Sequence, residues 1–265
     1  MFDQESMKKT AIGFASGIAE VFVTQPVWAI KLQKQSITPG PTNLSLPHLY
    51  RGTGFNFAGF SGTIAVQMGV YDALVKSWEL ESDVQKGLAS LFSGVLSSLI
   101  ASPTEMLMTQ QHRLSASPLT TASHVFSKNG LNYAYRGLAA TAMQESISSS
   151  FLFFIAPIIK EGLREYIPQK DMLSFSAGTI SGIGAALVSQ PVNTIRAIQQ
   201  KSDVALSFFD AAKLIHDRHG ISGLYQGTCA RLKMVVLSMG VLMLVKDKLV
   251  ETFCDEEDKT NQVRP

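Results

Sequence analysis

A chain of 265 residues with 46% hydrophobic and only 17% charged side chains, and a mean hydropathy of +0.15, is too apolar for an ordinary soluble domain and points to a membrane protein. A net charge of +2 gives none of the strongly basic surface that a nucleic-acid binder needs, so no nucleic-acid partner is expected. Two cysteines, Cys229 and Cys254, supply neither a disulfide framework nor a metal-ligand spacing.

The first apolar run lies between Lys9 and Lys31, interrupted only by Glu20, and ends in "QPVWAIKLQKQ" from Gln25. A proline-rich loop, "SITPGPTNLSLPHLYRG", leads to a second run that carries no charge between Arg51 and Asp72. The third run is uncharged between Lys86 and Glu105 and contains "SPTEMLMTQQH" from Ser102. The fourth, between Arg136 and Lys160, contains only Glu145; the fifth, between Asp171 and Arg196, contains "QPVNTIRAIQQK" from Gln190. The sixth, between Lys233 and Lys246, is short for a span unless Arg231 and Lys233 face a wet interior. Six membrane-spanning helices are predicted, the sixth carrying the weakest signal.

The runs repeat in pairs. Pro26, Pro103 and Pro191 each follow a small residue by thirteen positions (Gly13, Ser90, Gly178) and a glycine by nine (Gly17, Gly94, Gly182). Each pair also carries "YRG" at Tyr50, "YRG" at Tyr135 or "YQG" at Tyr225 before its second run. Three units result, over residues 7–80, 86–166 and 171–252, followed by a polar tail over 253–265. The loops inside the units carry net positive charge, whereas the termini and the linkers between units carry net negative charge. By the positive-inside rule the loops face the inner compartment and both termini the other side. "GTISGIG" from Gly178 lies inside an apolar span and reads as a helix-packing stripe rather than a phosphate loop. "HDRH" from His216 reads as a solvated loop, and no cofactor is implied.

Three tandem two-span units, each with a proline near the end of its first helix and an aromatic-x-Gly before its second, resemble the mitochondrial carrier family over residues 7–252. The resemblance implies an all-α membrane protein, six transmembrane helices in a threefold pseudosymmetric barrel, and a monomer in the mitochondrial inner membrane. It also implies alternating access to a central cavity. The implied partners are a small charged metabolite and the lipid bilayer, cardiolipin included.

The family places an acid two residues after each proline and a base five after, and each acid pairs with the base of the next repeat to close an inner gate. This chain has Trp28, Glu105 and Asn193 at the acid positions and Lys31, Met108 and Arg196 at the base positions. The implied partners are then Trp28 with Met108, Glu105 with Arg196, and Asn193 with Lys31. Acid and base are lost together in one pair, which leaves no charge stranded in a low-dielectric gate. Gln35 and Gln200 match the glutamines that brace such pairs, with His112 in that place in the second repeat. Twenty residues past Gly52, Gly137 and Gly227 stand Asp72, Pro157 and Asp247; three further on stand Val75, Lys160 and Val250. The implied outer gate retains Asp72 with Lys160, and leaves Asp247 without a full partner.

About seven residues past the same glycines, where the family reads its substrate, lie Gly59 and Phe60, Gln144 and Glu145, and Lys233 and Met234. Ionisable residues at membrane depth are expensive unless solvated or paired, so Glu145, Lys233, Arg231 and Glu20 join the candidate substrate contacts. Arg231 has a structural alternative, because many carriers carry an arginine there. An acid and a base across one cavity suit an amino acid; the basic residues and Phe60 keep a nucleotide open. The rival from another class is a carrier-shaped adaptor that transports nothing. Finally, the tail "CDEEDKTNQVRP" resembles the acidic export signals of effectors from intracellular bacteria, which would place the carrier in host mitochondria; the plainer alternative is a solvated tail.

Overall fold

The computed structural model of the chain describes residues 4–35 and 43–239; the side chains of residues 4–17, 128 and 129 are not described. Six helices carry the fold: α1 (Gln4–Lys34), α2 (Thr53–Ser77), α3 (Asp83–Leu114), α4 (Leu138–Leu163), α5 (Lys170–Lys201) and α6 over 228–239. Among the described residues there is no strand. Asp247 and the tail over 253–265 lie outside the described residues.

The odd helices run unbroken through Pro26, Pro103 and Pro191. The residue before two of these prolines explains how the chain folds back. Gln25 donates to the backbone oxygen of Arg51 at 2.9 Å, and Gln190 to that of Gln226 at 2.8 Å, so each glutamine ties its odd helix to the middle residue of its own "YRG" or "YQG". Ser102 is too short for this, and in the second repeat the Tyr135 hydroxyl instead donates to Leu99 O at 3.1 Å.

The glycine of each signature has a left-handed backbone, with φ of +86°, +85° and +83° at Gly52, Gly137 and Gly227. A side chain there is strained. Each glycine also lies against the post-proline segment of the next repeat: Gly52 on Met108 and His112, Gly137 on Arg196 and Gln199, Gly227 on Lys31 and Gln35. This cyclic contact is the threefold pseudosymmetry in its barest form.

Small residues set the helix spacing. A Cβ on Gly94 would lie 2.5 Å from the backbone of Glu145, so α3 and α4 touch main chain to main chain. Ser93 and Ser149 hydroxyls hydrogen-bond across this contact at 2.7 Å. The "GTISGIG" stripe packs similarly, Gly182 against Val235 and Gly184 against Phe151. Residues 151–155 of α4 form a π-helical turn just before Pro157, and Ser181 of α5 donates to Phe151 O at 2.6 Å. Proline lacks the N–H that would continue the ladder, and such a turn absorbs the mismatch.

Helices α3, α4 and α5 are long and apolar enough to cross a membrane by composition alone. α2 is not, although no charge lies between Arg51 and Asp72, because Asn56, Ser61, Thr63 and Gln67 punctuate it. A helix that lines a polar cavity is apolar on one side only. The segments on the inner end follow the same economy: residues Pro118–Asn129 and Phe208–His219 form amphipathic helices in repeats two and three, whereas the described part of the first loop holds only the short turn Leu46–Leu49.

Candidate substrate cavity and its gates

All six helices contribute to one cavity of about 370 Å³, within the usual size of a small-molecule site. Its floor lies at the inner end, where α1, α3 and α5 finish, and is made by three unlike contacts. Arg196 forms an ion pair with Glu105, their side chains 6% and 20% exposed. Trp28 and Met108 pack with Leu32 in one buried cluster, joined by Phe55 and Met234. Lys31 donates from Nζ to Asn193 Oδ1 at 3.4 Å. The sequence pairing of acid and base positions thus brings each pair into contact. It did not foresee that Asn193 Oδ1 also accepts from Arg196 at 2.7 Å, which joins the ion pair and the lysine into one network.

Beneath this layer Gln35 donates to Thr194 Oγ1 at 3.3 Å, and Gln200 Oε1 accepts from Thr109 at 3.3 Å. Lys201 donates to the terminal carbonyls of α1 at Leu32 and Gln35, a favourable place for a cation. His112 packs between Trp28, tilted against it at 5.4 Å, and His48, which meets it edge to face at 5.2 Å. Partial burial, and then Arg51, hold the His48 imidazole below its usual range.

At the opposite end, side chains are described for α2 to α5. Asp72 and Lys160 are both exposed, and no ion pair joins them among the described residues. Tyr71, next to Asp72, stacks on Phe153 of α4 with centroids 4.6 Å apart and planes 9° from parallel.

Between the two ends lie the substrate candidates. Gly59, Phe60, Gln144, Glu145, Arg231, Met234 and Glu20 all line the cavity. Lys233 does not: it is exposed on the other side of α6, and this corrects its assignment as a contact. The reason is one of register. Offsets of seven and eight residues from the signature glycines give Gly59 and Phe60, Gln144 and Glu145, then Met234 and Val235, which line the cavity; Lys233 falls one residue short. One residue is about 100° around a helix.

Glu145 accepts from Gln67 at 2.9 Å and Gln144 at 3.2 Å, and lies within electrostatic reach of Arg231 and Lys31. Gln67 also donates to Ser97 at 3.1 Å; sequence inspection missed it, although a lone glutamine inside an uncharged span is a signal of the same kind as Glu145. Arg231 donates to Ser189 Oγ at 2.8 Å, Gln190 Oε1 at 3.2 Å and Ala186 O at 3.3 Å. Its structural role is visible in the first repeat, where Asn56 stands at the same offset from Gly52 and donates to Gln25 at 2.7 Å. Glu20 accepts from Ser238, and its second oxygen is buried without a hydrogen-bond partner among the described residues. No metal-binding group of acidic, histidine or cysteine side chains occurs among the described residues.

A threefold helical barrel around a polar central cavity is the architecture of a solute carrier. The family model for mitochondrial carrier proteins matches residues 79–167 and 169–257, and the chain belongs to that family. Its six helices are accordingly the six membrane spans of a carrier. Similar proteins include an uncharacterized mitochondrial carrier of Schizosaccharomyces pombe, 28% identical over 92% of each chain. The mitochondrial citrate transporter B of Aspergillus niger is 27% identical over 76% of this chain and 73% of its own. The mitochondrial basic amino acids transporter of Bos taurus is 25% identical over 70% of each.

Proposed function

We propose that the chain transports an amino acid across the mitochondrial inner membrane by alternating access, with both termini on the intermembrane-space side. The charge pattern of the cavity carries this reading. Glu145 and Glu20 on one hand, Arg231 and Lys31 on the other, offer unlike charges to one bound molecule, and a zwitterion satisfies both. The relatives are named for citrate or tricarboxylate in several cases and for glycine or basic amino acids in others, all at 27% identity or less, so the reading rests on the cavity and not on their names. The acids favour an amino acid, since citrate would meet two carboxylates of its own sign. A nucleotide is disfavoured similarly, because its phosphates would meet the same two carboxylates, Glu145 and Glu20, that line the cavity.

The contacts at the inner end and their absence between Asp72 and Lys160 support a conformation closed to the inner side and open to the outer. A carrier-shaped adaptor has no use for buried carboxylates at mid-membrane, which are costly without a ligand or water. Uptake by proteoliposomes of the purified chain, with amino acids, citrate and nucleotides compared at equal concentration, tests the proposal. Saturable amino-acid uptake is expected; uptake of citrate or nucleotides without amino acids overturns it, and no uptake of any solute favours the adaptor.

A further inference from the structure

The ammonium of an amino acid needs only one of the two cavity carboxylates, which leaves the particular task of the second, Glu20, to be assigned. Glu20 stands six residues before Pro26; at the same offset the other repeats have Ser97 and Ala185. A residue that serves the barrel's architecture is expected in all three repeats, as the signature glycines are. An acid in one repeat only breaks the symmetry of the cavity wall, and an asymmetric ligand is what gains from that. Glu20 is 6% exposed and lines the cavity; Ser238 holds one oxygen, and the other is buried without a hydrogen-bond partner among the described residues. Such a group retains its full desolvation cost until something donates to it.

The levels of the charged groups along the barrel suggest what that donor is. On α6, Ser238 lies seven residues beyond Arg231, so the Glu20 carboxylate it holds sits about 10 Å further from the inner end. Glu145 stands at an intermediate level, eight residues past its signature glycine, against four for Arg231 and eleven for Ser238. Cation, acid and second acid therefore succeed one another along the cavity. An α-amino acid with its carboxylate on Arg231 and its ammonium on Glu145 directs its side chain toward Glu20. A terminal cation on a side chain of lysine or arginine length, with a charge-assisted hydrogen bond of about 2.8 Å at each end, covers the span; a short neutral side chain does not.

We infer that Glu20, oriented by Ser238, is the specificity-determining residue of the cavity and selects amino acids whose side chain ends in a cation. The inference rests on the amino-acid function proposed above, and the two are separable by one comparison. Proteoliposomes of the full chain are given labelled arginine against citrulline, its neutral near-isostere, and lysine against norleucine. In the unmodified chain the cationic member of each couple is taken up at least tenfold faster. Glu20→Gln, which keeps the size and the acceptor for Ser238, brings the ratio to near one; Glu20→Asp retains part of it; Arg164→Gln, in an exposed ion pair with Glu161, leaves it unchanged. An unmodified chain that takes up both members equally, or a Glu20→Gln chain that retains the preference, overturns the role of Glu20 while amino-acid transport stands. Uptake of citrate alone overturns both. If Glu20→Gln abolishes all uptake, thermal shifts decide: stabilisation by norleucine but not lysine supports selection, and stabilisation by neither makes Glu20 a structural residue.

Discussion

The two ends of the cavity are built on different principles. At the inner end an ion pair, an apolar cluster and a lysine–amide contact meet in one layer, and Asn193 connects two of them. At the outer end Asp72 and Lys160 are exposed with no ion pair between them among the described residues, and the Tyr71–Phe153 stack lies beside them. An ion pair weakens in salt, an apolar contact does not, and a stacked pair is modest in either condition. A carrier whose inner closure mixes these contacts is not opened by salt alone, in contrast to one closed by three ion pairs.

The largest effect is expected at the ion pair. Glu105→Gln or Arg196→Gln leaves the partner charge nearly buried and unpaired, at a cost of about 3–5 kcal/mol to the closed layer. Cysteine probes at the floor of the cavity should then become reactive from the inner side, and exchanging the two residues should restore part of the protection. Unchanged reactivity in both single variants would break the comparison at its strongest point.

Trp28→Ala should cost about 2–3 kcal/mol, less than a fully packed aromatic because one side of the indole lines the cavity. Its signature is insensitivity to salt. Installing Glu at Trp28 together with Lys at Met108 should restore closure but make it salt-dependent, and the same cysteine probes at low and high salt read both outcomes.

At the outer end Phe153→Leu should remove about 0.5–1.5 kcal/mol of stacking with Tyr71 and lower the melting temperature by a few degrees without exposing the inner side. The smallest effect on this conformation belongs to Asp72→Asn, because Asp72 has no ion-pair partner among the described residues. Under alternating access it should still slow turnover, since the opposite conformation loses its outer pair. Normal flux with an unchanged conformational balance would remove Asp72 from any gate.

Much of this arrangement was legible because the repeat converts position into geometry. Once Pro26, Pro103 and Pro191 were aligned, the offsets of two and five residues named the three floor contacts, including Trp28 with Met108, which no charge rule would have found. Lys233 shows where that logic fails: an approximate offset on a helix is a large angular error, and one position separated a cavity residue from an exposed one. The roles of Gln25, Gln190 and Gln67 were not legible, since a glutamine amide bonds equally well to backbone, side chain or water, and its choice is fixed only by what folding brings within reach.

The cyclic contact of the signature glycines bears on how the protein is made. Gly52 meets its partner segment about sixty residues further along the chain, and so does Gly137, but Gly227 packs on Lys31 and Gln35, nearly two hundred residues earlier. Lys31 with Asn193, and Lys201 with the end of α1, cross the same seam. During synthesis the first two junctions can form as soon as the following repeat emerges, whereas the third must wait for the whole third repeat, at the largest loop-closure cost of the three. The seam between the third repeat and α1 is therefore the last of the three junctions to close.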